Sequence, residues 1–230
     1  MHSQSDELAI ALAGRCIIYQ LLKGVFGQEP NLQLLQTITD EFTLEVLDLF
    51  LDEEQLAPFR EQFSQLSKAL SSDGEAVIDK IKSEYVYLML GPGKLPAPPW
   101  ESVYVNKARV IFQESTLKVR EAYLEYDLLP AEYPHVADDH LAIELDFMSR
   151  LGEMGQESFD KGDMQQLRKI LSSQKAFLDN HLLVWIGDFA ELIQSSKTNH
   201  FYPQMALLTK ALLFADRDVL EELLTVIADG

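Results

Sequence analysis

The chain is most constrained between Glu84 and Tyr104, where EYVYLMLGPGKLPAPPWESVY carries an aromatic helical end straight into Gly91, Pro92, Gly93, Pro96, Pro98 and Pro99. Proline lacks an amide proton and disfavours α geometry in the residue before it, so no helix can pass through this run. The chain must stop and turn. Trp100, Val103 and Tyr104 follow at once. A solvated linker has no use for such large side chains, so the turn either packs against something or binds something.

Most of the remaining sequence has helical periodicity. Ile10, Ala13, Gly14, Ile17, Leu21 and Val25 predict one face of a first helix, ended by Gly24 and Gly27. Two short helices are expected between Asn31 and Leu51, parted at Thr39-Asp40. A helix from Gln55 to Leu70 and another from Glu75 to Gly91 are separated by Ser71-Ser72-Asp73-Gly74. After the turn, Ala108, Ile111, Phe112, Ser115, Val119, Ala122, Tyr123 and Tyr126 form an amphipathic stripe. A second break, LLPAEYPHVADD, precedes a helix bearing Leu141, Leu145, Met148 and Leu151, and three further helical stretches follow at Met164–Lys175, Phe177–Ile193 and Pro203–Ala228. No alternation of period two persists. The expected fold is all-α, with about nine helices in one bundle-like globule of two helical halves. Residues 1–130 form an N-terminal subdomain, 131–137 a hinge, and 138–230 a C-terminal subdomain.

Charge narrows the choice of partners. Against 19 Lys and Arg stand 37 Asp and Glu, a net charge of −18. Such a surface repels nucleic acid and anionic membranes and attracts basic ligands. The lone Cys16 lies in an apolar run, where a buried, inert thiol is expected and no internal disulfide can form. The polar, acidic start MHSQSDE has no secretory pattern, and no stretch offers the uninterrupted apolar length of a membrane span. A cytoplasmic protein without stable membrane insertion is the expectation.

Catalytic signatures are scarce. There is no P-loop, GxGxxG, HExxH or GxSxG, and Cys16 has no neighbouring histidine. The best constellation is Asp138, Asp139, His140 and Glu144. His140 and Glu144 are four apart and share a helix face, as two metal ligands or an acid–base pair would. The structural reading is that Asp139 caps the helix and His140 orients the loop. Tyr85, Tyr87, Phe112, Tyr123 and Trp185, at helical spacing, are expected in the core. Trp100 and Tyr104 are candidate anchors for a bound peptide.

Together, GPGKLPAPPWESVY after a tyrosine-rich helix end and PHVADDHLAIELDFM at a later helix start resemble the signatures of the TorD/DmsD/NarJ family of redox-enzyme maturation chaperones. Order, spacing and helical pattern agree along essentially the whole chain, and PAPPWESVY is most similar to the DmsD-like branch. The resemblance implies a cytoplasmic chaperone, not an enzyme, with no cofactor or metal of its own. Its partners would be the twin-arginine signal peptide and apo catalytic subunit of a molybdopterin oxidoreductase, held for molybdenum cofactor insertion before Tat export. The implied peptide-binding residues are Pro99, Trp100, Ser102, Tyr104, Asp138, Asp139 and His140, with Glu84, Gly91 and Pro92 as motif positions at the helix end. Glu101 departs from the pattern, since related sequences often have glycine after the tryptophan. The resemblance also implies a monomer or a dimer exchanging subdomains through the hinge. Two alternatives remain: a metal-dependent helical-bundle enzyme using His140 and Glu144, and a chaperone of a client that is not exported, as in the NarJ branch.

Overall fold

The computed structural model describes residues 4–106, 111, 114–130, 136–198 and 200–229. Among them no strand occurs, and the α-helical segments are α1 (Gln4–Gly27), α2 (Leu32–Thr39), α3 (Glu41–Leu47), α4 (Glu53–Tyr85), α5 (Glu101–Val105), α6 (Glu114–Leu124), α7 (Leu141–Asp160), α8 (Met164–Phe177), α9 (Leu183–Gln194) and α10 (Tyr202–Asp229). Two π-turns interrupt the pattern. One, Val86–Leu90, prolongs α4 to the Gly/Pro run, and the other, Leu178–Leu182, joins α8 to α9.

The local chemistry of these elements is conventional. Asn31, Asp40, Asp52 and Asp163 each cap a helix by accepting from a backbone N–H, and Asp52 forms a reciprocal capping box with Gln55. The break expected at 71–74 is a kink inside α4. Asp73 leaves helical geometry (φ −150°, ψ 72°), and its carboxylate accepts from Ala76 N–H at 3.3 Å, restarting the helix. Ala108 and Phe112 of the expected amphipathic stripe, and residues 131–135 of the expected hinge, lie outside the described residues.

One contiguous cluster of buried apolar residues runs from Leu8 to Leu223 and draws on both predicted halves. At its centre α1 packs on α7, closely enough that a Cβ added at Gly27 would come within 3.0 Å of Ala142 Cβ. One at Gly152 would come within 2.9 Å of Cys16 Sγ. Cys16 as a whole is only partly buried, where the apolar run predicts full burial, and that burial pushes its pKa up. By length and composition α1 is apolar enough to cross a membrane, a property that core helices share, and its inner face is buried in the protein.

The face that α1 buries is wider than expected. Gly14, Leu21 and Val25 are buried as the spacing predicts, Ile10 is 43% exposed, and Leu8, Leu12, Arg15, Tyr19, Leu22 and Phe26 also turn inward. The added stripe includes a charge, which apolar spacing does not reveal. Arg15, 1% exposed, donates to both carboxylate oxygens of Asp216 on α10 (2.6 and 3.1 Å) and to Gln174 Oε1 on α8 (2.7 Å). Tyr19 Oη donates to Asp216 at 2.6 Å, and Gln174 Nε2 donates to the Met148 carbonyl of α7 at 2.9 Å. Four helices are therefore tied by one buried network. Burial, then the charge of Asp216, hold the Tyr19 hydroxyl well above its ordinary range, so it stays a donor. Removing one partner would leave a buried charge uncompensated. Asp216→Ala is expected to cost about 3–5 kcal/mol in urea unfolding, and an unchanged midpoint would show that the network contributes nothing net.

Candidate functional site

The Gly/Pro run ends by pairing with the start of α7. Trp100 and His140 form an isolated antiparallel bridge, with Glu101 N–H donating to the Asp139 carbonyl at 3.0 Å and Leu141 N–H to the Pro99 carbonyl at 2.9 Å. Their rings meet edge to face at 5.4 Å. Residues some forty positions apart are thus fixed side by side, as neither motif alone requires.

Side chains secure the junction. Asp139, fully buried, accepts from Ser102 N–H at 2.8 Å and from Thr116 Oγ1 at 3.0 Å, so one carboxylate holds α5 and α6 against the start of α7. Asp138, also fully buried, pairs with Arg120 of α6, while its backbone carbonyl accepts from Tyr123 Oη at 2.9 Å. Neither aspartate caps α7. That role falls to His140, whose Nδ1 accepts from Ala142 N–H at 3.1 Å. Hydrogen bonding at Nδ1 leaves the ring proton on Nε2. Burial pushes the His140 pKa down to about 4, against the opposing pull of Asp139. The Asp138 and Asp139 carboxylates are therefore committed internally and do not face solvent, contrary to the expectation that they present negative charge to a peptide.

Glu101 takes a related course. It opens α5 with its side chain buried, and its carboxylate lies 2.9 Å from His181 Nδ1, on the π-turn between α8 and α9. A bulky residue after the tryptophan is accommodated because it points into the protein, where it adds no attraction for a basic ligand. Glu144, one turn into α7 and fully buried, accepts from Trp185 Nε1 at 3.3 Å. Burial, then the neighbouring carboxylates Glu101 and Asp139, push Glu144 well above the usual carboxylate range. Trp185 stacks in turn on Tyr104 of α5, with centroids 5.2 Å apart. Of the pair that the enzyme alternative needs, His140 Nδ1 serves the helix cap and one Glu144 oxygen takes the indole N–H. Among the described residues no group of three or more His, Cys, Asp or Glu is placed to hold a metal.

The helix-end motif is structural. Glu84, at the end of α4 and 3% exposed, accepts from His200 N–H (2.9 Å), Phe201 N–H (2.8 Å), Tyr202 N–H (3.0 Å) and the Thr198 hydroxyl, capping α10 from a distance. Gly91 closes the π-turn at φ 84°, a left-handed geometry natural to glycine, while Pro92 is exposed. The π-turn also swings Tyr87 outward, 44% exposed where the spacing predicts core, whereas Tyr85, Tyr123 and Trp185 are buried as expected. Sequence reasoning missed Thr116, Arg120, His181 and Trp185 as parts of this junction. A buried partner for two adjacent aspartates was the available signal, and Arg120, one helix upstream, could have answered it.

Polar groups left unpaired concentrate here. Among the described residues seven buried side-chain atoms lack a hydrogen-bond partner, and five belong to Trp100, Ser102, Tyr104, Asp138 and Glu144. Native proteins seldom leave such groups unsatisfied away from functional surfaces.

The sequence matches the family model of the nitrate reductase delta subunit over residues 52–191, which contain the junction. The chain belongs to that family. Among relatives of the family type, the "Probable Tat proofreading chaperone DmsD" of Haemophilus influenzae is 29% identical over 208 residues, covering 90% of this chain and 89% of the relative. The "Chaperone protein TorD" of Vibrio cholerae is 25% identical over 218 residues, covering 95% and 97%. A solved redox enzyme maturation protein from Archaeoglobus fulgidus shares 18% identity with a TM-score of 0.43 over 96% of this chain and 95% of that one, a likeness too loose to carry an argument. Family membership accords with the redox-enzyme maturation chaperones that the two motifs resemble.

The His140 cap makes stability pH-dependent. Its folded pKa lies below the ordinary value of 6.5, so the neutral ring contributes stability that is complete above about pH 6.5 and is lost as pH falls toward about 4. The loss should be roughly 2 kcal/mol, the partly exposed ring keeping it below the full value of the shift. His140→Asn keeps a capping side chain without the titration and should flatten this part of the urea-unfolding profile; an unchanged slope would contradict the assignment.

Proposed function

We propose that this chaperone binds the twin-arginine signal peptide of a molybdoenzyme catalytic subunit in the cytoplasm. It holds the apo subunit until its molybdenum cofactor is inserted, and then releases it for Tat export. It performs no catalysis, and binding is its whole chemistry. The observation that carries this reading is the convergence of both motifs at one junction, in a chain that matches chaperone relatives almost from end to end. Physical considerations support it. A signal peptide of this kind joins guanidinium groups to an apolar segment, so its receptor should offer negative charge beside aromatic and aliphatic surface. A net charge of −18 steers such a ligand toward the protein.

Roles within the site divide in two. Trp100 and Tyr104 supply contact surface, whereas buried Pro99, the Ser102 amide, Asp138, Asp139 and His140 position it through bonds within the protein. The match to a nitrate reductase delta subunit model favours one second reading, in which the client is not exported and the bound segment lacks a working export motif. A monomer is the expected state, with subdomain exchange through residues 131–137 as the route to a dimer.

Calorimetric titration with a synthetic twin-arginine signal peptide tests the reading. Trp100→Ala should weaken binding by about tenfold or more with helicity intact, and Asp139→Asn should weaken it by loosening the junction. Unchanged affinity in both would remove the site, and capture of a client lacking both a signal peptide and a molybdenum cofactor would remove the function.

A further inference from the structure

With Asp138, Asp139 and Glu101 buried, a cation arriving from solvent finds none of the three carboxylates that flank Trp100 and His140. The negative charge within its reach is on α9. There Asp188 and Glu191 are both exposed and neither is paired with a cation among the described residues. With Val103, Tyr104, Leu192 and Ser195 they line a cleft of about 290 Å³ between α5 and α9. Three residues apart on a helix, their side chains stand on one face a single turn apart. Tyr104 follows Trp100 by four residues, so the cleft opens one helical turn from the Trp100–His140 contact.

We propose that this cleft is an arginine subsite: Asp188 and Glu191 bridge one guanidinium of the bound peptide, which lies against Tyr104, while Val103 and Leu192 cover its aliphatic stem. The proposal rests on the peptide-binding reading above and assigns the charged half of it to residues that neither motif contains. Two features favour a guanidinium over an ammonium. Five N–H donors in a planar fork can serve two carboxylates at once, whereas an ammonium is a point charge best placed on one. An aromatic wall suits a flat, weakly hydrated cation. The Tyr104 hydroxyl is buried without a partner. Burial, then the charge of Asp188, hold that hydroxyl above its ordinary range, so it remains protonated and neutral beside the carboxylates. Leu192, 42% exposed, gives the stem an apolar surface that a purely electrostatic contact would not need.

The test compares the unaltered full chain with Asp188→Asn/Glu191→Gln, using synthetic signal peptides that carry either the arginine pair or a lysine pair in its place. Both substitutions are isosteric and exposed, so the thermal midpoint should not move. At low salt the variant is expected to bind the arginine peptide about tenfold more weakly and to lose most of its preference for arginine over lysine. A variant that binds tightly and prefers arginine as strongly as the unaltered chain would overturn the subsite while leaving signal-peptide binding standing. If the unaltered chain binds neither peptide, the peptide-binding reading itself falls and takes the subsite with it.

Discussion

The junction depends on one carboxylate. Asp139 is fully buried and accepts from a backbone amide of α5 and a hydroxyl of α6 while its own carbonyl takes the Glu101 amide. An ionised group withdrawn from water is tolerated only when its lone pairs are met in this way. Once they are, the Gly/Pro run has one place to end, because Pro99 and Trp100 must lie along the first residues of α7. The prolines give the segment stiffness and remove its competing amides, and Asp139 supplies the register.

Around that anchor the protein separates holding from displaying. Its buried charges, Arg15 with Asp216, Asp138 with Arg120, Glu101 with His181 and Glu84 with the start of α10, fasten helices to one another. Its excess negative charge lies on the outside, where it acts on partners at a distance. The two π-turns stand at the border between these tasks. One delivers the chain into the Gly/Pro run, the other carries His181 to Glu101, and both offset the helical register that packing alone would impose. A site built this way is rigid beneath and adaptable at its aromatic surface, which suits a receptor for an apolar, weakly patterned segment.

Much of the fold could be read in the sequence, for identifiable reasons. Spacings of three and four, Gly91, Asp40, Asp73 and the prolines act locally, so helix bounds and breaks followed from them. The resemblance implies one site for Trp100 and His140, and they meet across the junction. Burial of polar groups was harder to see. Arg15 gives no local sign of burial, because its partner Asp216 lies 201 residues away. Asp139 is expected as a helix cap, and the resemblance puts both aspartates in the peptide site, neither of which requires burial. Only the three-dimensional placement of Ser102, Thr116 and Arg120 shows that they face inward. Asp188 and Glu191 carry no local signal at all, and they matter through their position beside Tyr104.

The central claim is that the Gly/Pro run is locked to the start of α7 before any ligand arrives. Amide hydrogen exchange on the ligand-free protein addresses it most directly, through the N–H groups of Glu101, Ser102 and Leu141 that span the junction. The structure predicts protection close to that of the α7 core, lost only with global unfolding and reduced in Asp139→Asn. Exchange at all three amides as fast as at exposed Gly93 and Lys94 would show that the junction opens freely, and would contradict a preformed site.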